Sequence, residues 1–184
     1  MKNKILPKTA LLSVSDKSGL VSFGRFLKKK SVKIIATGGT AKALKKEGIS
    51  VVSVSTITGF PEIFGGRVKS MHPKIAGGIL GQRDTDKKEA KKNKIEWIDL
   101  VVCNLYPFEL VAKNPKTSLE DKVENIDVGG PTMIRSAAKN NKWVSVVVDP
   151  KDYKGVQKAI ELGGISKKDR LRLAGKAFDH CASY

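Results

Sequence analysis

Ala10-Leu11-Leu12-Ser13-Val14, Val32-Lys33-Ile34-Ile35-Ala36 and Val51-Val52-Ser53-Val54 are three short apolar runs that fall within about fifty residues and are separated by amphipathic segments. Runs this short, rich in β-branched and aliphatic side chains, read as strands buried on both faces. Between the first two, Gly19 to Lys30 sets Leu20, Phe23, Phe26 and Leu27 on one face of a helix. A second helix from about Thr40 to Glu47 stops at Gly48. The resulting β-α-β-α-β order predicts an α/β fold with a mainly parallel sheet and helices on both faces.

Working outward, Ile98-Asp99-Leu100-Val101-Val102-Cys103 and Trp143-Val144-Ser145-Val146-Val147-Val148 are further buried strands, and both are placed in the sheet centre. Regularity lapses between Ser55 and Gln82, where six glycines accumulate beside Pro61 and Pro73. A loop that long inside a compact domain usually carries function. Helices are predicted near Phe108 to Ala112, after the capping pattern Ser118-Leu119-Glu120-Asp121, and from Pro131 to Lys139. Asp84 to Lys94 is polar, exposed and lysine-rich, and no chemistry is assigned to it. The last segment, Ser166 to Tyr184, spaces Leu171, Ala174, Phe178 and Cys181 as one helical face with no following element, which predicts a missing neighbour. With no repeat, low-complexity tract or linker, residues 1–184 form a single domain.

The composition is that of a globular chain, 40% hydrophobic and 29% charged, with no apolar run near the ~20 residues of a membrane span. Met1-Lys2-Asn3-Lys4-Ile5-Leu6-Pro7 is basic but lacks the apolar stretch of a secretory leader, so a cytoplasmic location is expected. Cys103 and Cys181 have no companions at metal-ligand spacing, which argues against a structural zinc site. The net charge of +17 points to anionic partners, but 29 Lys stand against 6 Arg and aromatics are 6%. Base readout and bidentate phosphate clamps favour Arg, so nucleic acid is not the expected partner.

Ligands of an open parallel sheet bind beyond the carboxyl ends of its strands. After the first strand come Ser13, Ser15, Lys17 and Ser18; after the second, Thr37-Gly38-Gly39-Thr40 opens a helix whose free N–H groups suit an anion. Read singly, Ser18 and Thr40 could be helix caps and the glycines turns; two such motifs at neighbouring strand ends favour a phosphate cradle. Neither is a Walker loop or a dinucleotide fingerprint. Arg67 and Lys69 alternate and share one face if extended. Asn104 and Tyr106 put an amide and a phenol after a buried strand. Asp127 stands where a loop enters a helix, with Arg135 and Lys139 further along that helix; the helix dipole alone accounts for an acid there.

Taken together and in this order, Ser13-Val14-Ser15-Asp16-Lys17-Ser18-Gly19, Thr37-Gly38-Gly39-Thr40-Ala41, Thr58-Gly59-Phe60-Pro61-Glu62, Gly65-Gly66-Arg67-Val68-Lys69, Met71-His72-Pro73-Lys74, Cys103-Asn104-Leu105-Tyr106-Pro107-Phe108, Asn125-Ile126-Asp127-Val128-Gly129-Gly130 and Ala137-Ala138-Lys139-Asn140 form a series. It resembles the inosine monophosphate cyclohydrolase domain of the bifunctional purine-biosynthesis protein that also carries an aminoimidazole carboxamide ribonucleotide formyltransferase. The resemblance runs from about Ala10 to Tyr184. It implies a Rossmann-like fold similar to methylglyoxal synthase, a homodimer, and a formyltransferase domain that is absent from this chain.

The implied reaction closes a purine ring: the carboxamide nitrogen of a formamidoimidazole carboxamide ribonucleotide attacks the formyl carbon, and water leaves. No metal or other cofactor is implied. Both reacting groups are weak, so charge stabilisation and managed proton transfer are needed. The resemblance assigns the catalytic set as Lys69 at the formyl oxygen, with Tyr106, Asp127 and Lys139 handling protons. Ser13, Ser15, Lys17, Thr37, Gly39, Thr40 and Arg67 take the 5′-phosphate side, and Ser70, Asn104, Val128 and Gly129 complete the nucleotide contacts. The competing reading is a non-catalytic nucleotide sensor of related fold, which needs the cradle but not the four catalytic residues as a set. Methylglyoxal synthase itself is disfavoured by the blocks around Asn104 and Asp127.

Overall fold

Along the chain, the computed structural model, which describes residues 4–184, runs β1 (Lys4–Ile5), β2 (Thr9–Val14), α1 (Leu20–Lys29), β3 (Lys33–Ala36), α2 (Gly38–Lys46), β4 (Val52–Ser53) and α3 (Val54–Thr58). A 3-10 turn at Phe64–Gly66 precedes α4 (Pro73–Leu80), α5 (Lys87–Lys92), β5 (Leu100–Asn104), α6 (Phe108–Lys113), α7 (Leu119–Glu124) and α8 (Gly129–Lys139). The chain continues through β6 (Ser145–Val147), α9 (Tyr153–Glu161), β7 (Ile165–Ser166) and α10 (Lys167–Ser183). The basic stretch noted at the start of the sequence lies partly outside the described residues, at Met1 to Asn3. No helix among the described residues is long and apolar enough to cross a membrane.

The five-stranded sheet is parallel throughout, in the order β4-β3-β2-β5-β6. Register sets Leu11 between Ile35 and Val101, and Val101 against Val146. Because side chains alternate across a strand, Ala10, Leu12 and Val14 join the layer of α1, α2 and α9, while Leu11 joins that of α4, α8 and α10. The chain starts in the middle with β2, builds outward through β3 and β4, then returns to β5 on the other side. The order therefore reverses between β2 and β5, and a crevice opens at their carboxyl ends. β1 and β7 form a separate antiparallel pair.

Four expectations change. The third strand is shorter, since Val54 already begins α3, with Ser53 as its cap accepting from the Thr56 amide at 3.1 Å. The stretch from Ser55 to Gln82 contains two helices, α3 and α4; Gly78 belongs inside α4 because a Cβ there would lie 2.5 Å from the Glu96 carbonyl oxygen. β6 is an edge strand, not a central one, yet stays buried because helices cover both of its faces. Finally, α10 has a neighbour: it packs on α8 and β6 through Arg170, Leu173, Ala174 and Ala177. Arg170 can be buried because its guanidinium donates to the carbonyls of Asn141 (2.8 Å), Ile165 (2.7 Å) and Lys142 (3.3 Å). Leu171 and Phe178 of the predicted face stay largely exposed, with the Arg135 guanidinium over the Phe178 ring.

Candidate active site

At the point where strand order reverses lies a cleft of about 790 Å³. It is lined by Ser13, Ser15, Lys17, Thr37, Gly39, Thr40, Arg67, Lys69, Ser70, Asn104, Tyr106, Asp127, Val128 and Gly129, all of them anticipated from the sequence. Lys139 is not among the lining residues. It sits exposed at the last position of α8, whose first turn borders the cleft, and an eleven-residue helix is about 16 Å long.

One wall joins the end of β2 to the start of α2. Thr37 enters α2 with extended backbone, and its hydroxyl donates to the Ser13 hydroxyl at 2.9 Å. The Thr40 hydroxyl accepts from the Val14 amide at 2.9 Å and donates to the Val14 carbonyl at 3.3 Å. Thr40 is therefore no cap; it pins strand to helix. The amides of Gly38, Gly39 and Thr40 precede the first bond of the helix, Ala41 N–H to the Thr37 carbonyl at 2.7 Å, and helix geometry leaves such groups free for a ligand. In front of Gly39 the space is open, with nothing within 4 Å of where a Cβ would stand. The cap of α1 is Gly19, so Ser18 does not cap either; its side chain first, and then its amide, which donates to Asp16, hold the Asp16 carboxyl below its ordinary range.

Asn104 does something the sequence did not suggest. Its Oδ1 accepts from the amides of Ser15 (2.7 Å) and Asp16 (2.9 Å), and its Nδ2 donates to the Asp16 carbonyl (3.0 Å). The side chain is 8% exposed. Expected as a nucleotide contact, it spends its hydrogen bonds shaping the loop that presents Ser15 and Lys17.

The opposite wall comes from the loop before α4 and the turn into α8. Lys69 is half-buried and Ser70 buried, the latter close enough that a Cβ on Gly129 would lie 3.0 Å from its hydroxyl. Arg67 and Lys69 do not lie on one extended face, because Arg67 has helical backbone at the end of the 3-10 turn. The Arg67 guanidinium instead reaches across the mouth to Glu124, with Nε to Oε1 at 3.2 Å. That pairing raises the Arg67 pKa and lowers that of Glu124. Glu124 is a charged residue lining the cleft that sequence reasoning missed; its signal in the sequence was its place at the end of the Ser118-capped helix. Asp127 Oδ1 accepts from the Gly130 amide at 2.7 Å, so the acid satisfies a first-turn amide of α8 from the position before its cap, Val128, and it lines the cleft as well. A Cβ at Gly130 would come within 2.5 Å of Leu105 Cδ2 and 2.6 Å of Asp127 Oδ2, so any larger residue would displace one of these side chains. Tyr106 stands at the mouth, 42% exposed.

Beyond Asn104, a second depression of about 500 Å³ is lined by Asp16, Asp149, Lys176, Asp179 and His180 among others. There the Lys176 ammonium bridges Asp149 and Asp152, each at 2.7 Å, tying α10 to the loop after β6.

Residues 19–132 match the MGS-like domain family. The chain belongs to it. Residues 137–184 match the AICARFT/IMPCHase bienzyme family, the one the motifs resemble. The crystal structure of ForH is 35% identical and superposes with a TM-score of 0.86, over 97% of this chain and 95% of that one. This member of the MGS-like family thus combines the parallel sheet and its cleft with a C-terminal segment of the purine-biosynthesis bienzyme type, and the passage from one match to the other falls within α8.

Proposed function

We propose that the chain is an inosine monophosphate cyclohydrolase. The observation that carries this reading is the composition of one cleft: free helix amides and hydroxyls at one wall, and an ammonium, a phenol and a carboxylate from Lys69, Tyr106 and Asp127 around the rest. A purine ribonucleotide would seat its 5′-phosphate at the α2 N-terminus, where backbone donors and the helix dipole favour negative charge. The matches to the MGS-like and bienzyme families support the assignment.

In the reaction, the carboxamide nitrogen forms a bond to the formyl carbon, and the formyl oxygen leaves as water. One proton of that water comes from the carboxamide nitrogen and one from the formamide nitrogen. Lys69 stabilises the oxygen as charge develops on it, which accelerates the step because the interaction strengthens toward the transition state. Asp127 and Tyr106 carry protons between the nitrogens and the departing oxygen. Holding the two reacting groups in contact removes much of the entropic barrier. Lys139 has no part in this scheme. The formyl group would be installed by a formyltransferase activity of the kind the bienzyme family pairs with this domain.

Incubating the protein with formamidoimidazole carboxamide ribonucleotide and following inosine monophosphate by chromatography tests the reading. Enzyme-dependent ring closure is the expected result. Nucleotide binding without turnover would overturn it in favour of a sensor, and absence of binding would remove both.

A further inference from the structure

The loop that carries Asp127, Asn125 to Val128, is a short bridge between α7 and α8, and it is held from outside by the last residue of the chain. The Asp127 amide donates to the Tyr184 phenol oxygen at 2.7 Å, and the phenol donates onward to the Asn125 carbonyl at 3.3 Å. A hydroxyl that accepts from one loop residue and donates to another two positions earlier fixes the main chain between them. The ring is itself anchored, tilted against Phe108 with centroids 6.1 Å apart and packed on the core layer that contains α8 and α10.

We propose that Tyr184 is a positioning residue for Asp127, fixing from the end of α10 the main chain whose carboxylate faces the cleft. With one side-chain oxygen bound to the Gly130 amide at 2.7 Å and the main chain bound to Tyr184, Asp127 is held by both its side chain and its backbone, and Oδ2 has no hydrogen bond among the described residues. Proton transfer demands placement within hydrogen-bond reach of the reacting atoms, and such placement comes from the groups that surround the catalytic one. Asp127 belongs to the segment matching the MGS-like domain and Tyr184 to the segment matching the bienzyme family. The phenol is therefore a place where the second segment touches a cleft-lining loop of the first, a physical reason for α10 to accompany this sheet.

The inference rests on the ring-closing role given to Asp127, and its test separates the two. Tyr184→Phe keeps the ring against Phe108 and removes only the hydroxyl. Its turnover rate constant should fall about fivefold, as loss of one hydrogen bond's worth of placement implies, with KM and melting temperature near those of the parent. In 15N-labelled protein, the Asp127 amide should exchange with solvent about fivefold faster. Tyr184→Ala, which also removes the ring, should lower the melting temperature. A Tyr184→Phe variant with the parent's rate constant and the parent's Asp127 exchange overturns the proposal. So does one that loses stability while kcat and KM stay intact, because that marks a role in packing alone. If the parent does not close the ring, the function proposed above fails, and the exchange rate by itself decides whether Tyr184 holds the loop.

Discussion

Replacing Asn104 by Ala removes three hydrogen bonds at once, two accepted from the Ser15 and Asp16 amides and one donated to the Asp16 carbonyl. Each such bond is worth about 1 kcal/mol net. Asp16 is exposed, so water takes over part of what is lost, whereas the site around Asn104 is buried. The balance is a loss of about 2 kcal/mol, or roughly 4–8 °C in melting temperature for a domain of this size. Urea unfolding at constant m-value measures the first effect, and calorimetric titration with inosine monophosphate measures the second, a weakening that follows from a loosened Ser13–Lys17 loop. Asn104→Asp is the sharper control: it keeps both acceptor bonds, loses the donor, and adds a negative charge beside the cradle, so it should cost less stability but more affinity than its stability loss suggests. An Asn104→Ala protein as stable as the parent that nonetheless fails to bind would refute the loop-shaping argument and return Asn104 to direct ligand contact.

Two glycines should respond in opposite ways. Gly130→Ala drives a Cβ into Leu105 and Asp127 and should destabilise by about 1–3 kcal/mol, with loss of ring closure; Gly39→Ala places a Cβ with no protein atom within 4 Å, so stability should hold or rise by about 0.5–1 kcal/mol while nucleotide binding, read by titration, falls. Lys69→Met should lower the turnover rate constant about 100-fold with a much smaller change in KM, as expected for a charge aimed at a developing oxyanion; steady-state kinetics that show only a raised KM would make Lys69 a binding residue. In acid, the Asp149 carboxyl is held below its ordinary range chiefly by the Lys176 ammonium. Its contribution to stability is therefore present above the unfolded carboxylate pKa of about 4 and lost as pH falls through the lower, folded value. Lys176→Met should flatten that acid limb of the melting curve without changing its slope near neutrality.

The strands of the first half were legible because burial on both faces of a parallel sheet leaves continuous aliphatic runs, as in Leu11-Leu12 and Ile34-Ile35. Strand order was less so: nothing in Ser145-Val146-Val147 distinguishes a central strand from an edge strand roofed on both sides by helices. The face of α10 is not legible because Arg170 counts as solvent-facing in any periodicity, and its burial depends on the carbonyls of Asn141 and Lys142, remote in sequence, and of Ile165 in β7. In the cleft, residue types and their places after strands β2, β3 and β5 could be read from the sequence, yet their duties could not. Asn104 and Thr40 looked like ligand groups and turn out to bond the backbone of β2 and the loop after it. Glu124 was invisible because its meaning depends on Arg67, which is 57 residues away in the chain.

The reversal of strand order between β2 and β5 also governs when the site can come into being. Ser15 meets Asn104 across 89 positions of sequence, so the loop after β2 takes its shape only once the central parallel pair has closed, the kind of long-range pairing that slows folding. The β2-α1-β3-α2-β4 half can acquire helices and strands from local contacts and still leave the loop after β2 unshaped. Any nucleotide that binds the finished cleft therefore stabilises only those states in which β2 and β5 have already paired, drawing the chain toward the native state by mass action.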